Sequence, residues 1–247
     1  MRLTRRLYWV GSGANGLFIS GRYDCNVYAV DCGGPILLVD AGAGGAGAAA
    51  ILENLRSDGL QPQRVAHIFL THKHADHAGG AAALARETGA TVACSQETAT
   101  AISTADPALT SLEIAKKAGL YDPDYTLEPC SIGLALADDE EWAIGELTFR
   151  HYLTPGHCAG HSALAFRDEN GLHLFCGDTL FSGGRILLQN IPDCDLQAHL
   201  RSLERLHDLR PELFLPGHTM PCLREGWRHF EAAAARMARL LVPESYR

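Results

Sequence analysis

Six consecutive residues, His72-Lys73-His74-Ala75-Asp76-His77, contain four side chains able to ligate a metal. The stretch before them, His67-Ile68-Phe69-Leu70, reads as a buried strand. The stretch after them, Ala78 to Thr88, reads as an alanine-rich helix. The cluster therefore falls on a strand-to-helix turn, where open α/β sheets present their ligands. Imidazoles with a carboxylate select zinc or another first-row metal over calcium or magnesium, which prefer oxygen alone. One histidine near a turn is ordinarily a solvated side chain. Three with an aspartate at this spacing are ordinarily a metal site.

The rest of the chain supports an α/β reading. Val27-Tyr28-Ala29-Val30-Asp31 and Ile36-Leu37-Leu38-Val39-Asp40 read as two strands joined by a Cys32-Gly33-Gly34-Pro35 turn. Gly42 to Gly47 reads as a flexible link, and Ala48 to Leu55 as a helix ending near Asp58-Gly59. Ala90 to Cys94 reads as a strand, Gln96 to Ile102 and Ser111 to Ala118 as helices, and Asp122 to Pro129 as irregular. Further strands are expected at Ser131 to Ala137, Glu141 to Ile144, Leu147 to Leu153, Ser162 to Arg167, Leu172 to Cys176 and Glu212 to Leu215. Ala198 to His207 and Trp227 to Leu241 read as helices. Strands open each half and helices follow, which predicts two sheets packed face to face with helices outside, a four-layer αββα sandwich. With 247 residues and no clean linker, residues 1–247 read as one domain.

Bulk properties narrow the partners. The net charge is −8 and no run of basic residues stands out, so neither nucleic acid nor an acidic membrane is expected. No apolar run is long enough to span a bilayer. The N-terminal stretch Met1 to Val10 is positively charged but is followed by Gly11, Ser12, Gly13 and Asn15, a poor signal peptide. Eight scattered cysteines form no C-x-x-C pair, which supports neither a zinc ribbon nor a disulfide scaffold. They read as buried thiols in a reducing cytoplasm. The expected partner is a small molecule, and the oligomeric state is not written in the sequence.

Three more short segments place a His or Asp beside glycine just beyond a strand: Leu153-Thr154-Pro155-Gly156-His157, Phe175-Cys176-Gly177-Asp178-Thr179 and Phe214-Leu215-Pro216-Gly217-His218. Gly and Pro fix sharp turns and allow close approach to the backbone. With the His72 cluster they complete a set of seven candidate ligands.

On these motifs, taken in order with Leu38-Val39-Asp40-Ala41-Gly42, the chain resembles the metallo-β-lactamase fold superfamily from about Asn26 to His218. The resemblance implies that His72, His74 and His157 hold one metal and that Asp76, His77 and His218 hold a second. It implies that Asp178 bridges the two and that Asp40 supports the ligands from behind. His161, four residues after His157, is not a ligand in that pattern. His67, His151, His173, His199, His207 and His229 read as surface or packed residues.

The chemistry implied is that of two divalent ions, zinc by default with iron or manganese compatible. They share a water whose lowered pKa yields a bridging hydroxide, with Asp76 orienting it and passing a proton to the leaving group. No Gly-x-Ser-x-Gly elbow is present, and Cys158 reads as packing. Asp178 argues against true β-lactamases, and His74 against flavodiiron-type redox proteins. Gly177-Asp178-Thr179-Leu180-Phe181-Ser182 resembles the glyoxalase II group, although only 29 residues follow His218 where that group carries a helical glutathione-binding domain. Arg224, Arg228, Arg236 and Arg239 there read as a solvated face. Chain length and ligand spacing also resemble the acyl-homoserine lactonases. The stretch from Ser95 to Pro129 reads equally as a surface excursion or as a wall over the substrate, with Tyr121 and Tyr125 near its mouth. The expected function is hydrolysis of a small ester-like acyl bond, thioester or lactone. A mononuclear iron persulfide dioxygenase of the same fold is the alternative.

Overall fold

The computed structural model describes residues 1–246. Arg247, the last residue of the expected single domain, lies outside the described residues. The chain divides into two compact units, one of Met1–Leu136 with Ile144–Glu146 and one of Ala137–Ala143 with Leu147–Arg247.

The first unit contains a six-stranded mixed sheet in sequential order, β1 (Leu7–Gly11), β2 (Val27–Asp31), β3 (Ile36–Val39), β4 (Val65–Phe69), β5 (Thr91–Ser95) and β6 (Leu134–Leu136). β1–β2 and β2–β3 pair antiparallel, and β3–β4, β4–β5 and β5–β6 pair parallel. β3 is Ile-Leu-Leu-Val, buried at every position, as a parallel strand covered on both faces must be. β1 was not legible as a strand, because the arginines before it mask five buried residues at the sheet edge.

Helix α1 (Ala46–Ser57) buries Ala48, Ile51, Leu52 and Leu55, a stripe at helical spacing. The helix expected over 78–88 is two pieces, α2 (Ala75–Ala78) and α3 (Ala81–Thr88). They are separated at Gly79-Gly80, where backbone passes very close. A Cβ on Gly79 would stand 2.4 Å from the Tyr125 hydroxyl and 2.7 Å from the Ala43 carbonyl oxygen. α4 (Gln96–Thr104) is capped by Ser95, whose Oγ accepts from the Thr98 N–H. α5 (Leu112–Lys117) precedes an irregular stretch, and the strand expected over 131–137 shrinks to β6.

The second unit holds a five-stranded mixed sheet in the order β11 (Leu213–Pro216), β10 (Gly171–Gly177), β9 (Ser162–Asp168), β8 (Leu147–Leu153) and β7 (Glu141–Ile144). β8–β9 and β9–β10 are antiparallel hairpin neighbours, and β10–β11 is parallel. The crossover to β11 runs through α6 (Leu196–Asp208), capped by the Asp195 carboxylate on the Ala198 N–H at 3.0 Å. α7 (Trp227–Met237) stops short of the expected Leu241. Leu240 turns left-handed (φ 58°) and the Leu241 N–H reaches back to the Arg236 carbonyl, a Schellman-type ending without glycine. Two mixed sheets with flanking helices are the elements of the expected α/β class. No helix among the described residues is long and apolar enough to cross a membrane.

Candidate metal centre

In the first unit the candidate ligands follow β4. His72 and His74 lie on the turn after it, and Asp76 and His77 lie on α2. His72, His74 and His77 are buried, and Asp76 is partly exposed. His72 Nε2 lies 3.1 Å from His74 Nδ1. The His72 and His77 rings are 4.0 Å apart between centroids. Burying imidazoles nitrogen to nitrogen is unfavourable unless something sits between them. Two nitrogens bound tetrahedrally at zinc–nitrogen distances would be about 3.3 Å apart, so this donor pair fits a first-row cation.

Asp40, buried, orders the group from beneath. Its carboxylate accepts from the Thr71 N–H at 2.8 Å and from the Thr71 hydroxyl, and lies 2.9 Å from His77 Nδ1. With Nδ1 engaged there, His77 presents Nε2, which stands 3.8 Å from Asp76 Oδ2. Asp40 keeps this position with a left-handed backbone (φ 62°), a strain that its three hydrogen-bonded partners hold in place. Thr71 Oγ1 also lies 3.0 Å from His72 Nδ1, which directs His72 Nε2 toward His74. Cys25 joins Asp40 and His77 in a buried group whose donor atoms lie within 4.8 Å of one another. Its thiol is pushed up by burial, so it is a neutral packing neighbour.

In the second unit the ligands end strands: His157 lies after β8, Asp178 after β10 and His218 after β11. Asp178 Oδ2 is 3.6 Å from His157 Nε2 and 3.5 Å from His218 Nε2. One carboxylate oxygen thus faces two imidazole nitrogens at nearly equal distance, the disposition of a group able to serve two cations. His161 is fully buried, and its Nε2 accepts the Asp178 backbone N–H at 3.0 Å while its Nδ1 lies 2.8 Å from Thr154 Oγ1. It therefore supports Asp178, a role the sequence pattern did not disclose.

His199, read as a packed residue, is buried on α6 and its Nε2 donates to the Thr179 carbonyl at 2.6 Å. Burial pushes its pKa down to about 4, so the ring is neutral at pH 7. α6 reaches this position because residue 156 is glycine. A Cβ there would lie 2.2 Å from the His199 Cα, and φ is +137°. Gln189 approaches His157, with Nε2 to Nε2 at 3.5 Å, a contact that no motif announced.

The sequence missed one further partner. The Tyr121 hydroxyl donates to Asp76 Oδ1 at 3.0 Å. Burial and the Asp76 charge hold that phenol well above its ordinary pKa, so it is a donor and not an anion. Cys158, beside His157, is buried, and all eight cysteines are unbridged thiols.

Two mixed sheets, buried His/Asp clusters at strand ends and an aspartate beneath a histidine define a metal-site α/β protein of the metallo-β-lactamase fold. The chain belongs to the metallo-beta-lactamase superfamily, which it matches over residues 20–218. A hydroxyacylglutathione hydrolase of Methylococcus capsulatus is 32% identical over 165 residues, covering 67% of this chain and 51% of that protein. An atrochrysone carboxyl ACP thioesterase of Aspergillus fumigatus is 25% identical over 193 residues, covering 78% of this chain and 50% of that one. The chain thus spans about half the length of the curated relatives it matches. Among solved structures, a metallo-beta-lactamase family protein of Thermus thermophilus superposes with TM-score 0.73 at 26% identity, covering 97% of this chain and 82% of that one. A metallo-beta-lactamase of Cronobacter sakazakii gives TM-score 0.71 at 19% identity over 97% and 96% of the two chains, a likeness of fold alone.

Proposed function

We propose that this chain is a binuclear metal-dependent hydrolase of small ester-like acyl compounds, with thioesters ahead of lactones. The observation that carries the reading is Asp178 Oδ2 set between His157 Nε2 and His218 Nε2. The four ligands after β4 complete the family set. His72, His74 and His157 would hold one ion, Asp76, His77 and His218 the other, and Asp178 would serve both. Zinc suits these donors best, and iron and manganese are compatible.

A bound pair of divalent ions supplies Lewis acidity toward an acyl carbonyl and makes hydroxide available near neutral pH. The chain supplies the rest. Asp76 orients the attacking water and returns its proton to the departing thiol or alcohol. Asp40, through Thr71 and His77, and His161, through the Asp178 backbone, keep the ligands from shifting. Misplacement of about 1 Å can cost on the order of 100-fold in rate. No protein nucleophile takes part. Cys158 contributes packing, and Cys158→Ala retains turnover within a few-fold.

Thioesters come first because two relatives bear the names hydroxyacylglutathione hydrolase and ACP thioesterase. The same reading takes a small acyl compound as partner and the cytoplasm as setting. Eight unbridged thiols support the latter.

The test is elemental analysis followed by a substrate panel. Protein purified without chelator should contain about two metals per chain. It should hydrolyse acyl thioesters or lactones in preference to phosphodiesters or a cephalosporin, lose turnover with chelator and regain it with added zinc. A fixed single iron with oxygen uptake on glutathione persulfide would instead establish a dioxygenase. Turnover of phosphodiesters alone would overturn the acyl reading.

A further inference from the structure

The segment between α5 and β6 carries two tyrosines whose hydroxyls have different tasks. Tyr125 donates to the Ala43 carbonyl oxygen at 2.9 Å, seated against Gly79 where a Cβ would stand 2.4 Å away. Tyr121 donates to a carboxylate, Asp76 Oδ1, at 3.0 Å. The two rings are stacked, 4.9 Å apart at 27°, and Tyr23 also packs on Tyr121, with the ring centroids 5.4 Å apart. Tyr121 is thus held by aromatic neighbours, and the place of its hydroxyl is fixed before any ligand arrives.

Asp76 needs such a constraint. It sits on a helix of four residues, and its side chain is 22% exposed. The terminal torsion of an aspartate is soft and roughly two-fold, so either oxygen can face inward. With Oδ1 taken by a donor, Oδ2 is the oxygen turned toward His77, 3.8 Å from its Nε2.

We propose that Tyr121 is a positioning residue for Asp76. Its hydroxyl fixes Oδ1 and so commits Oδ2 to the metal beside His77. The proposal rests on the metal-centre reading above. It also gives the segment from Ser95 to Pro129 a task besides covering a substrate: it delivers a hydrogen bond to a ligand 45 residues upstream. Hydrogen bonds to ligating carboxylates commonly govern affinity as strongly as ligand identity does, and their loss costs roughly 10–100-fold.

Wild-type protein, Tyr121→Phe and Tyr125→Phe are made metal-free and titrated with zinc(II) and cobalt(II) against a competing chelator. The visible spectrum of each cobalt form is recorded, and thermal melts of the metal-free proteins check folding. Tyr121→Phe should bind roughly 10–100-fold more weakly and show an altered cobalt spectrum. Tyr125→Phe loses an equal hydroxyl from the same stack and should keep the wild-type spectrum, whatever its melting temperature. Should Tyr121→Phe fail to melt cooperatively, Tyr121→Trp, which keeps a stacked ring without the phenol oxygen, takes its place with the same expectation. Wild-type affinity and spectrum in the Tyr121 variant would overturn this role and leave the metal centre standing. Wild-type protein that takes up neither ion would overturn the metal centre and this role with it.

Discussion

Asp178 offers one oxygen to two imidazoles and gives its backbone N–H to a third, that of His161. Removing the side chain takes away a shared anionic donor, so Asp178→Ala should lower both metal content and turnover, the latter by about 100-fold or more. Removing His161 leaves the Asp178 N–H buried without its acceptor. Sequence reasoning, which sees only that His161 lies outside the ligand pattern, expects His161→Ala to be silent. The geometry predicts a loss of roughly 10–100-fold in metal affinity, partly restored by His161→Gln, whose side-chain oxygen can accept the same proton. Chelator competition on the two variants decides between these outcomes. The ligands themselves were legible because each stands at a turn marked by Gly or Pro, in a short motif. Their supporting residues were not. Tyr121 is separated from Asp76 by 45 positions, and nothing local in a tyrosine tells which carboxylate its hydroxyl will meet.

At the scale of elements, the strands were read well where burial is continuous and poorly where charge or glycine disguises it. β2, β3, β7 and β8 lie within a residue of their expected spans, because runs of β-branched and aromatic residues admit little else. β1 was hidden by the arginines ahead of it. The split between α2 and α3 arises from tertiary contact at Gly79, which an alanine-rich helical pattern cannot reveal. The same kind of contact makes a prediction in the second unit. α6 docks on the turn that carries His157, with the Asp195 N–H bound to the Gly156 carbonyl at 2.8 Å and the His199 backbone against Gly156. Gly156→Ala would drive a methyl into His199 and impose a φ that alanine rarely adopts. The variant should melt earlier, by a few kcal/mol in unfolding free energy, and lose affinity at the metal that His157 is expected to hold. A melt and a zinc titration matching wild type would show that α6 can give way without disturbing the turn.

For the molecule as a whole, buried neutral histidines tie stability to pH. His199 has its pKa lowered to about 4 by burial, and His151 and His173 are lowered by the same cause. The sign follows from which state binds the proton. Above an unfolded-state value of about 6.5 these rings are neutral in both states and contribute no slope. Between there and about pH 4 the unfolded chain protonates at His199 and the folded chain does not, so stability falls as the pH drops. A group caught fully in that window costs about 1.4 kcal/mol per pH unit. Below pH 4 the folded ring protonates as well, and its slope disappears. Asp24 works in the opposite sense: burial raises its pKa, so the folded state gains there as acid is added. The candidate ligands also titrate, which is why the comparison must isolate one ring. Urea unfolding of metal-free wild type and His199→Gln, followed from pH 7.5 to 4.5, should give curves that diverge. Wild type should lose stability more steeply below about pH 6.5, by close to one proton's worth of slope. Parallel curves over that range would mean that His199 takes up its proton in the folded state as readily as in the unfolded one, and that its burial on α6 does not make the fold acid-sensitive.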